Sequence, residues 1–384
     1  DGHSWPSFVG QECPTYGKMY HYPSSRWLLI PAHSDYSGQF GNFIAFFSYC
    51  LGNRLIVKQV LVTGGSGFIG SHLTEALLAR GDRVTVVDDE STGSATNLTA
   101  ARKNDRLTYI QGSVGEKSLV QEVTAKADEV YHLAAAVGVA LIARAPMETI
   151  ERNIYPTELI LSCLRERIQR GETVKCFLAS TSEVYGKNPK DTWSEEDDLV
   201  FGSTTRPRWS YGASKAIDEF MGLASHREYG LPVVIGRFFN VVGPRQTGVY
   251  GMVLPRFVDA ALAGKPLIVH DDGKQTRCFA HVDDVVRAVV TLMETDAAVG
   301  RVFNIGSDQP ISILELAQRV IKLAGSSSTI DFQTYSDAYD EDFEDIRRRV
   351  PDLTRLRTTI GHVASHDLDG IVQRVIDAKR TCDA

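Results

Sequence analysis

The 384 residues carry 48 acidic and 41 basic side chains, a formal net charge of −7. That balance argues against a surface built to neutralise nucleic-acid phosphates. The length suits one large α/β domain with an appended lobe, or two modest domains; 43% hydrophobic and 23% charged is an ordinary globular composition, and no apolar run reaches the roughly 18–20 residues that cross a bilayer.

Residues 1–57 are rich in Tyr, Trp, Phe, Pro and Ser, show no sustained period, and do not begin with Met. The apolar stretch FIAFFSYCLG at 43–52 is too short to span. We assign this extension no role. The six cysteines (13, 50, 163, 176, 278 and 382) are far apart, without CxxC or His/Cys spacing. They read as reduced thiols of a cytoplasmic protein, with neither a disulfide framework nor a metal site.

From Gln59 the pattern changes. QVLVTGG is a short run expected to form a strand buried on both faces. SGFIGSHLTEALLARG has helical apolar spacing and closes on Gly81. Strands are predicted at 83–89, 107–113, 129–135, 175–181 and 232–238, with helical stretches between most of them. Such alternation implies a doubly wound parallel sheet with right-handed crossovers. Beyond about 240 the pattern breaks into shorter elements, with helices predicted at 281–295 and 312–325. The expected organisation is the extension, a dinucleotide-binding domain at 58–240 to which 281–310 returns, and a smaller α/β substrate lobe at 241–384.

TGGSGFIG at 63–70 sits directly between a strand and a helix. Gly64 suits the tight turn, Gly67 the approach of backbone to a pyrophosphate, and Gly70 close packing of helix on sheet. The next strand ends in Asp88, whose carboxylate suits both ribose hydroxyls and repels a 2′-phosphate, which favours NAD over NADP. Asp89 is a neighbour able to share that contact. Further on, Tyr211 and Lys215 in WSYGASK share one helix face. A nearby ammonium and the positive nicotinamide ring are expected to lower the tyrosine pKa, so that Tyr211 takes a proton from a sugar hydroxyl as hydride leaves.

TGGSGFIG, HLAAAVGV, STSEVYG, YGASK, RFFNVVGPRQ and DDGKQTRCF, in this order, resemble the extended short-chain dehydrogenase/reductase family of nucleotide-sugar epimerases, dehydratases and decarboxylases. The resemblance covers roughly 59–325. It implies a Rossmann fold and NAD bordered also by Phe68, Ile69, Ser113, Val114, Leu133, Ala134 and Ala135. It implies further that Thr181 binds the sugar O4, that Ser182 and Glu183 flank the reacting sugar, and that Lys215 holds the nicotinamide ribose. Asn240 then contacts the diphosphate of a UDP-sugar, and Arg245 and Arg277 lie near its nucleotide, although each arginine also fits a surface ion pair. QGSV at 111–114 departs from relatives that carry Asp at the adenine. Many relatives dimerise through two helices in a four-helix bundle; the stretches at 146–170 and 211–229 suit that pair, and their apolar faces equally suit packing on the sheet.

The family shares oxidation at sugar C4 and divides afterwards. Thr-Ser-Glu at 181–183 resembles UDP-glucuronate decarboxylases and GDP-mannose dehydratases; FGSTTRPRWSY and the tail FEDIRRRVPDL, where Arg349 approaches a carboxylate, resemble the decarboxylases and suggest a uronic acid. RFFNVVGPRQTG and DDGKQTRCFAHVDDVVRA resemble 4-epimerases. Weighed together, they put interconversion of UDP-glucuronate and UDP-galacturonate first and decarboxylation second. UDP-glucose 4-epimerisation, 4,6-dehydration and a non-catalytic NAD-binding role come behind.

Overall fold

The computed structural model describes residues 57–136, 145–248, 252–334 and 346–382, with three short strands nearer the start. Those three, β1 (Gly10–Cys13), β2 (Gly17–Tyr22) and β3 (Arg26–Leu29), pair antiparallel in order. They belong to a unit at Asp1–Ile56, distinct from the unit at Val57–Ala384. The rest of the N-terminal extension, FIAFFSYCLG included, lies outside the described residues.

In the larger unit the strands are β4 (Gln59–Thr63), β5 (Arg83–Asp88), β6 (Leu107–Gln111), β7 (Glu129–His132), β8 (Lys175–Thr181) and β9 (Val233–Phe238). Shorter strands follow: β10 (Val241–Val242), β11 (Leu267–His270), β12 (Thr276–Cys278) and β13 (Ala280–His281). Then come β14 (Arg301–Ile305), β15 (Pro310–Ser312) and β16 (Ile330–Gln333). The helices are α1 (Phe68–Arg80), α2 (Lys117–Thr124), α3 (Pro146–Gln169), α4 (Trp209–Tyr229), α5 (Val253–Leu262), α6 (Val282–Glu294), α7 (Ile313–Ala324), α8 (Thr354–Ile360) and α9 (Leu368–Cys382).

Seven parallel strands form the central sheet in the order β14-β9-β8-β7-β4-β5-β6. This is the doubly wound arrangement, with its order reversing between β4 and β7. Alternation along β4 explains the layers. Val60 and Val62 face one core with Leu73 and Leu77 of α1 and Val285 and Val289 of α6, whereas Leu61 faces another with Ile160 and Leu164 of α3. Both faces are therefore covered, which is why the strands read as nearly continuous apolar runs. Gly81 closes α1 in the left-handed region at φ 102°, as the helix pattern requires.

Two predicted strands end early. β7 stops at His132 because its neighbour β4 turns away after Thr63, so Leu133–Ala135 leave the ladder and line a cavity instead. β6 likewise stops at Gln111, where its partner β5 ends at Asp88. The lobe holds a third core of α5, α7, α9 and β11, where Leu254, Val269, Leu316 and Val372 are fully buried. Its short strands pair with distant segments: β10 with β13, β11 with β16, and β12 with β15. The lobe and the carboxyl ends of the sheet strands together enclose the site.

Candidate active site

A cavity of 1360 Å³ runs from the β4–α1 turn across the carboxyl ends of the sheet to the lobe. Every cofactor, catalytic and substrate residue expected from sequence lies on its wall, from Gly64 and Asp88 at one end through Thr181 and Tyr211 to Arg277 and Arg349.

At the first end the backbone forms a cradle. A Cβ on Gly70 would sit 2.1 Å from the Gly64 carbonyl oxygen, so only glycine lets α1 start against the turn. Gly67 is the N-cap of that helix, and its first N–H groups open towards the cavity. Asp88 is buried at the end of β5, where its carboxylate accepts the Ser66 N–H at 2.9 Å and the Glu90 N–H at 2.8 Å. These bonds fix the carboxylate across the turn with lone pairs remaining for ribose hydroxyls. Asp89, more exposed, accepts the Ser91 N–H at 2.9 Å. Ser113 and Val114, after β6, and Leu133, Ala134 and Ala135, after β7, also line this cavity. The residues present fit NAD.

At the centre, α4 brings Tyr211 and Lys215 to the wall one turn apart. Burial, and then the Glu183 carboxylate, hold the Tyr211 phenol above its ordinary pKa; a hydrogen bond with Thr181 and the charge of Arg349 oppose this less strongly. Sequence reasoning expected Lys215 to lower that pKa. The Lys215 ammonium donates to Asp218, three residues on, at 2.7 Å. Tyr211 is thus a phenol in the protein alone, and bound NAD supplies both the hydride acceptor and the positive ring that favours its deprotonation. Behind this pair His132 bridges Thr63 at 2.7 Å and Thr157 at 3.1 Å. Burial and the Lys215 charge depress its pKa to about 3. The unfolded chain takes up this proton below about pH 6.5 while the folded chain refuses it. The stability that neutral His132 contributes is therefore lost as the pH falls from that value towards 3.

Beyond Tyr211, β8 ends in Thr181 and runs into a single 3₁₀ turn, Ser182–Tyr185. Thr181 caps it by accepting the Glu183 N–H at 3.2 Å. Helix α4 packs directly on this turn, since a Cβ on Gly212 would lie 2.5 Å from the Glu183 carbonyl oxygen. The Glu183 carboxylate is gripped from two sides, by Arg208 at 3.1 Å and by Arg349. All three side chains are largely buried.

Residues 60–306 match the family model described as the NAD dependent epimerase/dehydratase family. The chain belongs to this family. UDP-N-acetyl-alpha-D-glucosaminuronate decarboxylase of Bacillus cytotoxicus is 42% identical over 301 residues, 78% of this chain and 91% of the relative. UDP-glucuronic acid decarboxylase 1 of Arabidopsis thaliana is 34% identical over 302 residues, 78% of this chain and 64% of the relative. Among solved structures, the UDP-glucuronic acid 4-epimerase from Bacillus cereus, in complex with UDP-glucuronic acid and NAD, aligns with a TM-score of 0.76 at 28% identity. That match covers 84% of this chain and 99% of the other. As a member of the NAD dependent epimerase/dehydratase family, the protein is an NAD-dependent enzyme of nucleotide sugars. The names of these relatives favour decarboxylation, the alternative weighed from sequence, over 4-epimerisation, which was put first.

The remaining positions divide. Asn240 donates to the Cys278 carbonyl at 3.1 Å, which joins β9 to the lobe at the cavity wall. Arg277 is buried and donates to the Thr276 carbonyl at 3.0 Å. Arg245 combines both readings, lining the cavity while its guanidinium grips Glu75 at 2.7 and 2.9 Å. Sequence reasoning missed Arg208, although it stands three residues before Tyr211 in RPRWSY. Nothing in that run says that the start of α4 meets the Glu183 turn. Arg152 of α3 and Arg256 of α5 also line the cavity and were missed.

Tyr211→Phe removes the proton acceptor and leaves the cradle intact. Turnover should fall at least about a hundredfold while NAD stays bound, as read by steady-state rates and by the nicotinamide content of the purified protein.

Proposed function

We propose that this protein is an NAD-dependent decarboxylase of a UDP-uronic acid, with the sugar N-acetylated at C2 as the first candidate. The observation that carries this reading is the Glu183 carboxylate between Arg208 and Arg349, in the same cavity as Tyr211 and Thr181. Guanidiniums recognise carboxylates through paired donors. Two of them beside the reacting sugar suit a substrate that carries a carboxylate there, and a neutral hexose has no use for them.

Thr181 and Tyr211 hold the C4 hydroxyl, and Tyr211 takes its proton as the hydride leaves C4. The product is a β-keto acid, with the ketone at C4 and the carboxylate on C5. Its C–C bond breaks to release carbon dioxide, leaving the electron pair as an enolate across C4 and C5. Arg349 and Arg208 orient the departing carboxylate. Glu183, competing for the same guanidiniums, keeps it from being fully neutralised, so departure relieves a contact between like charges. Protonation at C5 and return of the hydride to C4 complete a UDP-pentose. The relatives at 42% and 34% identity are named as decarboxylases of UDP-uronic acids, which supports this choice over 4-epimerisation. The free thiols Cys163, Cys176 and Cys278 are compatible with a reducing, cytoplasmic setting. Among the described residues no helix is long and apolar enough to cross a membrane.

The homodimer expected from sequence also belongs to this reading. Helices α3 and α4 pack along one another and leave Met147, Tyr155, Ile217, Phe220 and Tyr229 exposed, Phe220 at 68%. A second copy presenting the same pair would bury them in a four-helix bundle.

Incubation with UDP-N-acetylglucosaminuronate or UDP-glucuronate and catalytic NAD should release carbon dioxide and yield a UDP-pentose on chromatography. UDP-galacturonate or its N-acetyl counterpart without gas restores the epimerase reading. Phe220→Glu should convert a dimer to a monomer in sedimentation experiments, and an unchanged sedimentation coefficient removes the proposed interface.

A further inference from the structure

Arg349 comes from a segment that belongs to no helix and no sheet, yet its backbone is pinned on both sides. On one side Thr276 of β12 donates to the Arg347 carbonyl at 2.8 Å and accepts the Arg349 N–H at 3.1 Å. On the other, Trp193 donates its N–H to the Val350 carbonyl at 2.9 Å and accepts the Asp352 N–H at 2.8 Å. Glu183 sits on a different element, the turn after β8. Something must hold that turn and this segment in register, because a guanidinium–carboxylate pair tolerates little displacement.

Asn304, at the end of β14 and fully buried, is the link. Its side-chain N–H groups donate to the Trp193 carbonyl at 2.8 Å and the Asp352 carbonyl at 3.2 Å. Its side-chain oxygen accepts the Tyr185 hydroxyl at 2.7 Å. Tyr185 lies in the same turn as Glu183, two residues on. Burial pushes its phenol up to about 12, so it remains a donor at neutral pH. Two carbonyls on the nitrogen and a hydroxyl on the oxygen leave the amide a single satisfied orientation. The Tyr185 ring is further held by Trp193 at 5.1 Å between centroids and by the Arg237 guanidinium at 4.7 Å. Among the described residues, the cavity wall includes none of Tyr185, Trp193 and Asn304.

We infer that Tyr185 and Asn304 are positioning residues that set Glu183 against Arg349, and thereby govern whether the oxidised sugar loses its carboxylate. This rests on the reading of the reaction proposed above. Oxidation at C4 needs Tyr211, Thr181 and the cofactor, which lie outside the link. Cleavage of the bond to the carboxylate needs the pair that the link aligns. Disturbing the link should therefore separate the two steps.

The test is Tyr185→Phe, which removes one hydroxyl and keeps the ring, with Asn304→Asp as a second variant that keeps the acceptor and loses both donors. With UDP-uronate as substrate, bound NAD and KM should stay within about twofold of wild type. Carbon dioxide release should fall about tenfold or more. A 4-keto uronic acid nucleotide should accumulate together with reduced-nicotinamide absorbance, a signature that simple loss of folded protein does not produce. Wild-type carbon dioxide release in Tyr185→Phe, or a loss matched by the fraction unfolded in circular dichroism, overturns the inference. A wild-type protein that releases no carbon dioxide overturns instead the reading of the reaction on which it rests.

Discussion

Glu183 is held by Arg208 at 3.1 Å and by Arg349 in a largely buried cluster, and the sugar end of the site is built around that contact. Taking such charges out of water costs several kcal/mol per ion, and the cost is offset only when the geometry is good. Three elements far apart in the chain must therefore arrive together: the turn after β8, the first residues of α4, and the segment before α8. Removing one partner from a buried pair typically costs about 3–5 kcal/mol, so the cluster ties the folding of the C-terminal segment to the integrity of the site. Burial first, and then the Glu183 carboxylate, raise the pKa of Tyr211, while Arg349 opposes the shift.

What was legible in the sequence was local. The β4–α1 turn announces itself because an apolar run, three glycines and a helical stretch follow one another within a few residues. Asp88 follows from the length of that unit, and the shared face of Tyr211 and Lys215 from helical spacing. Six of the seven sheet strands followed from alternation of strand and helix, since parallel strands covered on both faces leave apolar runs that one sequence displays; β14, at Arg301–Ile305, was not foreseen. The short lobe strands β10 to β13 were not legible, because their partners are distant segments and two to four residues carry no clear period.

The site's finer features depend on long-range meetings. Arg208 drew no reading from the sequence and proved to grip Glu183. Lys215 looked like the group that activates Tyr211, yet its ammonium is taken by Asp218, three residues on. Asn304, inside an ordinary strand, offered no signal at all. The named relatives favour the second of the two reactions weighed from sequence. The motifs with epimerase character, RFFNVVGPRQTG and DDGKQTRCFAHVDDVVRA, lie in segments that join the sheet to the lobe, whereas Glu183 of Thr-Ser-Glu meets Arg349 in the cavity that Tyr211 also lines. Residues at the bond to be broken say more about the reaction than residues along the nucleotide.

One measurement addresses the central claim most directly: turnover of the UDP-uronate substrate in deuterium oxide, with the nucleotide products weighed by mass spectrometry. Decarboxylation at the Glu183–Arg349 cluster predicts a product lighter by one carbon dioxide and carrying one deuterium, taken up at C5 when the enolate is protonated. A product that keeps every carbon and contains no deuterium would show that the hydride returned to C4 with the carboxylate still in place, and would contradict the account.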